Sequence, residues 1–363
     1  MNNRISIEEC LEIIVHLRNV SKEERRAFFR DPDTLYIFWM YYYPEGFKCE
    51  LADFHWDWIE AIANTDKHIM NESFRSSLKT EITKIYVIKS ICYNVWKYIV
   101  VQSYDSAGSD EMVANISRML VKESLVEDYG QLYPFSAKKS DFSKKSVTHF
   151  DTTNGVKIKA KALLEQMRGS NIYNEDEGTS RPDLIILDDI DTTDSVRNKD
   201  IIDKNDVKLR QQTIGAMAKG NSRIIFLGNT IGMDGLVRRF AEMAKVNSRW
   251  VYFRQPIYDD IGECVWPQFF TPDVIENIKA TEGDAWDQNY LLIPKLTIGT
   301  TVFDCKQPIK VVKPYKILEG FHLFQPPQDK LVIGVDIAEG GEKGDNSTLK
   351  CRNKKGQSVF EFA

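Results

Sequence analysis

Residues 181–191 read Arg-Pro-Asp-Leu-Ile-Ile-Leu-Asp-Asp-Ile-Asp, so four apolar residues run directly into the acids Asp188 and Asp189. A second apolar run, Arg-Ile-Ile-Phe-Leu, occupies residues 223–227. Both runs are too short for helices, and neither alternates apolar with polar residues. This pattern is typical of strands that are covered on both faces in a parallel sheet. The sequence therefore predicts an α/β fold with a parallel sheet flanked by helices.

The segments around these strands have signals of their own. Apolar residues recur at helical spacing within residues 6–50, where Ser21 opens a capping-box pattern. Further predicted elements are an aromatic-rich amphipathic helix at 51–63, a strand at 97–103, a helix at 110–125 and a hairpin within 148–163 that turns at Asn154-Gly155. Residues 297–328 contain several prolines and lysines without a sustained period, and they are predicted to be a linker.

The composition excludes several classes of protein. Of 363 residues, 42% are hydrophobic and 28% charged, which is enough to bury a large core and excludes a mainly disordered chain. Because 48 Lys and Arg face 53 Asp and Glu, contact with nucleic acid would need a local basic patch. The six cysteines lack metal-ligand spacing and are expected to be reduced, as in a cytosolic protein. No segment has the ~20 uninterrupted apolar residues of a membrane span, and the first residues lack the pattern of a signal peptide.

Asp188 and Asp189 are candidates for chemistry because of where the strand delivers them. The carboxyl end of a buried parallel strand opens on the crevice where ligands bind, and acids placed there can hold Mg²⁺ and orient a water. In a Walker B strand, Asp188 would support the metal and Asp189 would polarise the attacking water. An acid-terminated strand without a catalytic role remains the alternative.

A Walker B strand needs a phosphate loop upstream, and the standard pattern GxxxxGK[ST] is absent. Residues 74–80 read Phe-Arg-Ser-Ser-Leu-Lys-Thr and precede a plausible helix. Lys79 and Thr80 at a helix start offer backbone N–H groups, an ammonium for phosphates and a hydroxyl for Mg²⁺. Without glycines, Ser76, Ser77 and Leu78 must make the strained turns. An ordinary surface helix start is the alternative.

A third candidate motif follows the strand at 223–227. Gly228, Asn229 and Thr230 are expected to form a tight turn that exposes two hydrogen-bonding side chains at the edge where the other motifs end. Such a turn could contact the γ-phosphate and couple its presence or loss to the movement of another part of the protein. The alternative is an ordinary turn, but three motifs in this order occur by chance far less often than one.

Together these stretches resemble the large terminase subunit of tailed bacteriophages, the ATPase that drives DNA into capsids. The resemblance extends from about residue 50 to 345 and is most specific in Met-Arg-Gly at 167–169, in 181–191 and in Leu-Gly-Asn-Thr at 227–230. It implies a P-loop NTPase-type sheet in which Arg75 to Thr80 form a deviant Walker A loop that binds ATP. Asp188 and Asp189 would be the Walker B acids, and Gly228 to Thr230 the coupling motif.

The resemblance also suggests roles for residues outside these motifs. Arg168 is a possible phosphate sensor, and Phe54 or Trp56 could stack on adenine. Residues 332–338 resemble the first strand of an RNase H-like nuclease, in which Asp336 would be the first metal-binding acid. Because the other acids of that family would lie beyond Ala363, the nuclease part is expected to be incomplete and DNA cleavage is not expected.

The expected organisation is a helical N-terminal subdomain at 1–50, an ATPase domain at 51–296, a linker at 297–328 and the start of a nuclease domain at 329–363. The implied function is ATP hydrolysis with Mg²⁺ coupled to translocation of double-stranded DNA into a procapsid. The implied partners are a portal protein, a small terminase subunit and further copies of this chain in a ring, in the host bacterial cytoplasm and away from membranes. Two alternatives stay open: a degenerate prophage remnant without ATPase activity, and a helicase-like P-loop ATPase.

Overall fold

The computed structural model describes residues 4–47, 49–134, 148–163, 165, 172–174 and 178–294, and the strands 316–318, 321–323, 331–336, 348–353 and 358–362. For 172–174, 178–180 and the strands beyond residue 315, it describes the main chain. The chain divides into two compact units, Met1–Thr301 and Val302–Ala363.

A seven-stranded sheet forms the centre of the first unit. The strands of this unit are β1 (His68–Ser73), β2 (Tyr98–Ser103), β3 (His149–Asp151), β4 (Lys157–Ala162), β5 (Ile172–Asn174), β6 (Gly178–Ser180), β7 (Leu184–Asp188), β8 (Arg223–Gly228) and β9 (Trp250–Gln255). The sheet has the order β3-β4-β2-β7-β8-β1-β9, while β5 and β6 pair separately. Neighbouring strands of the sheet are parallel except for β3 and β4. The α/β fold class predicted from the sequence is confirmed.

Helices cover both faces of this sheet. They are α1 (Ile7–Arg18), α2 (Lys22–Phe29), α3 (Leu35–Tyr42), α4 (Asp53–Asn64), α5 (Lys79–Cys92), α6 (Ser106–Met119), α7 (Glu123–Tyr129), α8 (Lys199–Lys208), α9 (Leu236–Val246), α10 (Pro272–Glu282) and α11 (Ala285–Tyr290). Ile69, Ile99 and Ile225 share a core with α1–α7, whereas Met70 and Phe226 point to the opposite core around α9. The strands are apolar on both faces because both faces are buried.

Most of the predicted elements of the first unit are confirmed. The strands at 97–103, 184–187 and 223–227, the hairpin and the Ser21 capping box are all present. The single helix predicted at 110–125 is wrong: α6 ends at Met119 and α7 begins at Glu123. The break occurs at Lys122, whose extended backbone (ψ 130°) redirects the chain while its carbonyl accepts from the N–H of Leu125 and Val126. No glycine or proline marks this break in the sequence.

The N-terminal helices are tied together by a buried carboxylate. Asp128 on α7 is 3% exposed and accepts from Arg25 Nη2 at 2.6 Å and from the Tyr42 hydroxyl at 2.5 Å. One acid thereby joins α2, α3 and α7. Another buried charge, Arg223, donates to the carbonyls of Ala61 and Ile62 in the last turn of α4, where the Ala61 carbonyl also accepts from the N–H of Thr65.

The second unit is an antiparallel sheet of described strands. They are β10 (Lys316–Leu318), β11 (Phe321–Leu323), β12 (Leu331–Asp336), β13 (Thr348–Asn353) and β14 (Ser358–Phe362), in the order β10-β11-β14-β13-β12. The main chain of Asp336 pairs with Thr348 at the end of β12. The metal role of Asp336 and the division of the chain into four segments stay predictions. Among the described helices, none is long and apolar enough to cross a membrane.

Candidate active site at the carboxyl edge of the sheet

The 74–80 loop leads from the end of β1 into α5 without a glycine. Ser76 (φ 65°) and Leu78 (φ 59°) adopt the left-handed conformation instead. Each such residue costs about 1–2 kcal/mol, so the surrounding structure must hold the loop in place. Within the described part of the chain, the buried Ser77 Oγ has no hydrogen-bond partner. The expectation that Ser76 and Leu78 make the strained turns is confirmed, whereas Ser77 keeps a negative φ.

Lys79 is the first residue of α5, and its ammonium folds back over the loop. Lys79 Nζ donates to the carbonyls of Ser73 and Phe74, both at 3.3 Å. Burial lowers the pKa of Lys79, and the nearby Asp188 and Asp189 oppose that shift. A helix N-terminus with a cation beside it is an electropositive site suited to an anion.

Thr80 and Asp188 meet although their elements lie far apart in the sequence. Thr80 Oγ1 donates to Asp188 Oδ2 at 3.0 Å, and Asp188 is the last residue of β7. Burial, and then repulsion from Asp189, raise the pKa of Asp188. The buried Asp188 Oδ1 has no hydrogen-bond partner among the residues that the structure describes. A hydroxyl beside a carboxylate with a free oxygen is a donor set that fits Mg²⁺, which prefers one or two carboxylates plus phosphate and water.

Asp189 lies next to this pair but in different surroundings. Its backbone is left-handed (φ 49°), its side chain is exposed, and its carbonyl accepts from the N–H of Tyr104 at 3.2 Å. The two acids are thus separated into a buried and a solvent-facing position. Within the described residues, no group of three or more His, Cys, Asp or Glu side chains could hold a metal ion by itself.

The 228–230 turn differs from its prediction. Gly228 is not a turn glycine but the last residue of β8, where a Cβ would lie 2.5 Å from Val237 Cγ2 of α9. Thr230 is fully buried rather than exposed. Asn229 donates from Nδ2 to the carbonyl of Asn289 at 2.9 Å, and the same carbonyl accepts from the N–H of Arg75 at 2.8 Å. The turn is therefore packed against the 74–80 loop and not free at the sheet edge.

Sequence reasoning missed Glu72, the residue that binds Thr230. Glu72 is 0% exposed and accepts from the hydroxyls of Thr230 and Tyr252. The strand that carries it, β1, reads His-Ile-Met-Asn-Glu-Ser and was not predicted, because its polar residues give no strand pattern. In the sequence, the one indication of this residue was the presence of an acid directly before the candidate phosphate loop.

The aromatic residues beside the 74–80 loop are not Phe54 and Trp56, which were predicted to stack on adenine. A cleft of about 430 Å³ lies beside Ser76–Glu81 and is lined by Phe47, Leu51, Trp266 and Phe269. The Trp56 ring packs on Tyr36, 4.5 Å between centroids, and Phe54 packs on His55 and Phe74, so neither ring lines this cleft. Arg168 lies outside the described residues, and its role stays a prediction.

Three solved structures are similar to this chain at low sequence identity. The large terminase ATPase domain of Thermus phage P74-26 has 13% identity and a TM-score of 0.39 over 64% of this chain and 90% of its own. A mutant of that domain has 11% identity and a TM-score of 0.40 over the same shares. The Phi-28 gp11 DNA packaging motor has 13% identity and a TM-score of 0.37 over 79% of this chain and 76% of its own.

No family model and no curated protein matches the chain. The family that the sequence resembles is also the family of the two Thermus phage structures.

Proposed function

We propose that this chain is a Mg²⁺-dependent ATPase whose active site is the carboxyl edge of the sheet. One observation carries the proposal: the 74–80 loop sets Thr80 Oγ1 at 3.0 Å from Asp188 Oδ2 across the fold, with Lys79 beside them. Phosphoryl transfer needs this combination of a helix N-terminus, a lysine, a hydroxyl and an acid, because catalysis rests on positioning and charge stabilisation. The residues come from separate segments and meet only in the folded chain.

Each residue has a defined task in this proposal. The N–H groups from Ser76 to Thr80 and the ammonium of Lys79 bind the phosphates, while the N–H of Arg75 stays bonded to the Asn289 carbonyl. Lys79 gives up its bonds to the carbonyls of Ser73 and Phe74 when the phosphates bind. Thr80 and Asp188 would hold Mg²⁺, which neutralises charge on the phosphates when bound. Asp189 faces solvent and polarises the attacking water. The 430 Å³ cleft lined by Phe47, Trp266 and Phe269 would take the base of the nucleotide.

The biological setting is the finer part of the proposal. The motif resemblance supports a motor subunit that packages double-stranded DNA into a procapsid, together with a portal protein, a small subunit and further copies of this chain. DNA contacts in such a motor would be made to phosphates and would not depend on sequence. We propose no nuclease activity for this chain.

The strained loop supports ATP binding over the alternative of a degenerate remnant. Two left-handed non-glycine residues would relax by ordinary substitution or backbone drift if the loop had no ligand, because strain of this kind is retained where it serves a site. Binding of a fluorescent ATP analogue separates the two: micromolar Mg²⁺-dependent binding supports the ATPase, and its absence supports the remnant.

Lys79→Ala should reduce Mg²⁺-dependent ATP hydrolysis by about 100-fold or more, because it removes a charge that stabilises the transition state. Lys97→Ala is a matched control, since the exposed Lys97 precedes β2 at the opposite edge of the sheet. Steady-state turnover with purified protein measures both. Equal turnover of the wild type and Lys79→Ala contradicts the assignment of the loop.

Asp189→Asn should slow ATP hydrolysis by about 100-fold and leave the affinity for ATP within about twofold of the wild type. The reason is that the change removes only a group that acts on the attacking water. Single-turnover hydrolysis and titration with the fluorescent analogue measure the two quantities separately. Normal hydrolysis by this variant would assign the water-activating role to another residue.

A further inference from the structure

Glu72 lies where four elements of the site converge. Its main chain sits in β1 between Gly228 of β8 and Arg254 of β9. The carboxylate accepts from Thr230 on one oxygen and from Tyr252 on the other. Arg238 Nη1 of α9 lies 3.5 Å from Oε1, and Arg254 Nε lies 3.9 Å from Oε2. A fully buried carboxylate is costly unless it is paired, and here both oxygens are partnered.

Space for this carboxylate depends on Gly228. In parallel strands, residues in register point to the same face, so a side chain at 228 would compete with Glu72 for the space under α9. Val237 already approaches Gly228 closely, as a Cβ there would lie 2.5 Å from Val237 Cγ2. The glycine that was expected to make a turn thus allows helix, strand and buried acid to pack together.

The 228–230 turn is held to the phosphate loop by two separate connections. Through Asn229 it reaches the Asn289 carbonyl, which also accepts from the N–H of Arg75. Through Thr230 it reaches Glu72, two residues before Phe74. The first connection contacts the loop directly, and the second fixes the turn relative to the strand that leads into the loop.

We infer that Glu72 is a positioning residue that fixes the 228–230 turn against the 74–80 loop through its bond with Thr230. The inference rests on the proposed ATPase function. Glu72 sets the position of Asn229 beside the 74–80 loop and is not itself proposed to contact the phosphates. Tyr252, Arg238 and Arg254 stabilise the carboxylate from the side of α9 and β9.

The test compares the two hydroxyls that bind the same carboxylate. Thr230→Val removes the bond to the turn, and Tyr252→Phe removes the bond to β9 while leaving the turn attached. Thr230→Val should lower kcat about tenfold with the KM for ATP within about twofold, and Thr230→Ser should recover most of the lost turnover. Tyr252→Phe should stay within about threefold of the wild type, since the turn keeps its bond.

A second measurement needs no ATP hydrolysis. Hydrogen exchange of peptides covering 74–80 and 228–232 should be about tenfold faster in Thr230→Val than in the wild type, and unchanged in Tyr252→Phe. Thermal unfolding of all variants shows that they are folded. Glu72→Ala combined with Thr230→Val should cost less than the sum of the two single changes, because each single change removes the same bond between Glu72 and Thr230.

The outcomes separate the two proposals. Similar losses in Thr230→Val and Tyr252→Phe would make Glu72 a merely structural acid and overturn the inference, as would unchanged exchange at 74–80 in Thr230→Val. A wild-type protein that does not hydrolyse ATP would overturn the proposed function, and the exchange measurement then decides the role of Glu72 alone.

Discussion

Asp128 and Asp188 are both buried carboxylates, 3% and 8% exposed, but their surroundings are opposite. Both oxygens of Asp128 accept hydrogen bonds, from Arg25 and Tyr42. Asp188 receives one bond, from Thr80, and its Oδ1 has no partner within the described residues. The first acid is satisfied by the chain itself, whereas the second has one oxygen left for a ligand.

The same difference extends to the regions around the two acids. Among the helices at the N-terminal side, the buried ammonium of Lys89 donates to the Asp31 carbonyl at 2.6 Å and to Thr34 Oγ1 at 3.0 Å. At the carboxyl edge of the sheet, three buried atoms have no partner within the described residues, namely Ser77 Oγ, Asp188 Oδ1 and Asn229 Oδ1, while single ones such as Trp58 Nε1 of α4 occur elsewhere. Buried polar atoms normally find partners inside a protein, so a cluster of unpartnered ones marks a site built for a ligand.

The largest effects are expected when each of the two acids is neutralised in turn. Asp188→Asn should lower Mg²⁺-dependent ATP turnover by about 100-fold or more while leaving stability unchanged or slightly higher, since it removes a buried charge that forms no direct salt bridge with any described residue. Asp128→Asn should lower the free energy of unfolding by about 3 kcal/mol or more, because Arg25 is left without its partner, with turnover per folded molecule retained.

Urea unfolding and steady-state turnover of both variants measure these effects. Equal losses of stability in the two variants would show that Asp188 is a structural acid like Asp128. That result would contradict the difference described between the two carboxylates.

The pH dependence of stability tests the burial of His55 on α4. His55 is 0% exposed, and its Nδ1 accepts from the N–H of Ala52 at 2.9 Å. Burial lowers the pKa of His55 to about 3, and an interaction with the main chain of Ser77 opposes that shift. As the pH falls, the unfolded state takes up the proton before the folded state does. The free energy of unfolding therefore reaches its full value above about pH 6.5 and decreases below that pH, by up to about 1.4 kcal/mol per pH unit.

His55→Gln should therefore flatten the dependence of the urea midpoint on pH between about pH 7 and 5, relative to the wild type. The exposed His16 offers the control variant, His16→Gln, which should keep the wild-type slope. A His55→Gln profile parallel to that of the wild type would show that the pKa of His55 is the same in the folded and unfolded states.

The smallest expected effect concerns the strain in the loop. Ser76→Gly should raise the free energy of unfolding by about 0.5–1 kcal/mol, because glycine adopts φ 65° without the penalty that the exposed Ser76 bears. Ser77→Gly is the matched control at the next residue, where φ is negative and the change should destabilise. Urea unfolding measures both, and a destabilised Ser76→Gly would mean that the serine has bonds that outweigh its strain.

Several features were determined by the sequence because they depend on local patterns. The apolar runs at 184–187 and 223–227 have no polar face, and such runs are stable only inside a covered sheet. Ser21 followed by Glu24 satisfies free N–H groups within one helical turn, so that helix start was predictable. Strained turns at Ser76, Ser77 and Leu78 were also expected, because the segment before Lys79 has no glycine, and two of these three residues, Ser76 and Leu78, are left-handed.

Only the tertiary structure decided which polar groups meet and which stay free. The order that places β8 between β7 and β1 brings Thr80 to Asp188 and Thr230 to Glu72, across sequence separations of more than 100 residues. The strand of Glu72 escaped prediction because burial of Asn71, Glu72 and Ser73 is stabilised by hydrogen bonds, which hydrophobic patterns do not record. The physical reason is that apolar periodicity is a property of a segment, whereas hydrogen-bond satisfaction is a property of the whole fold.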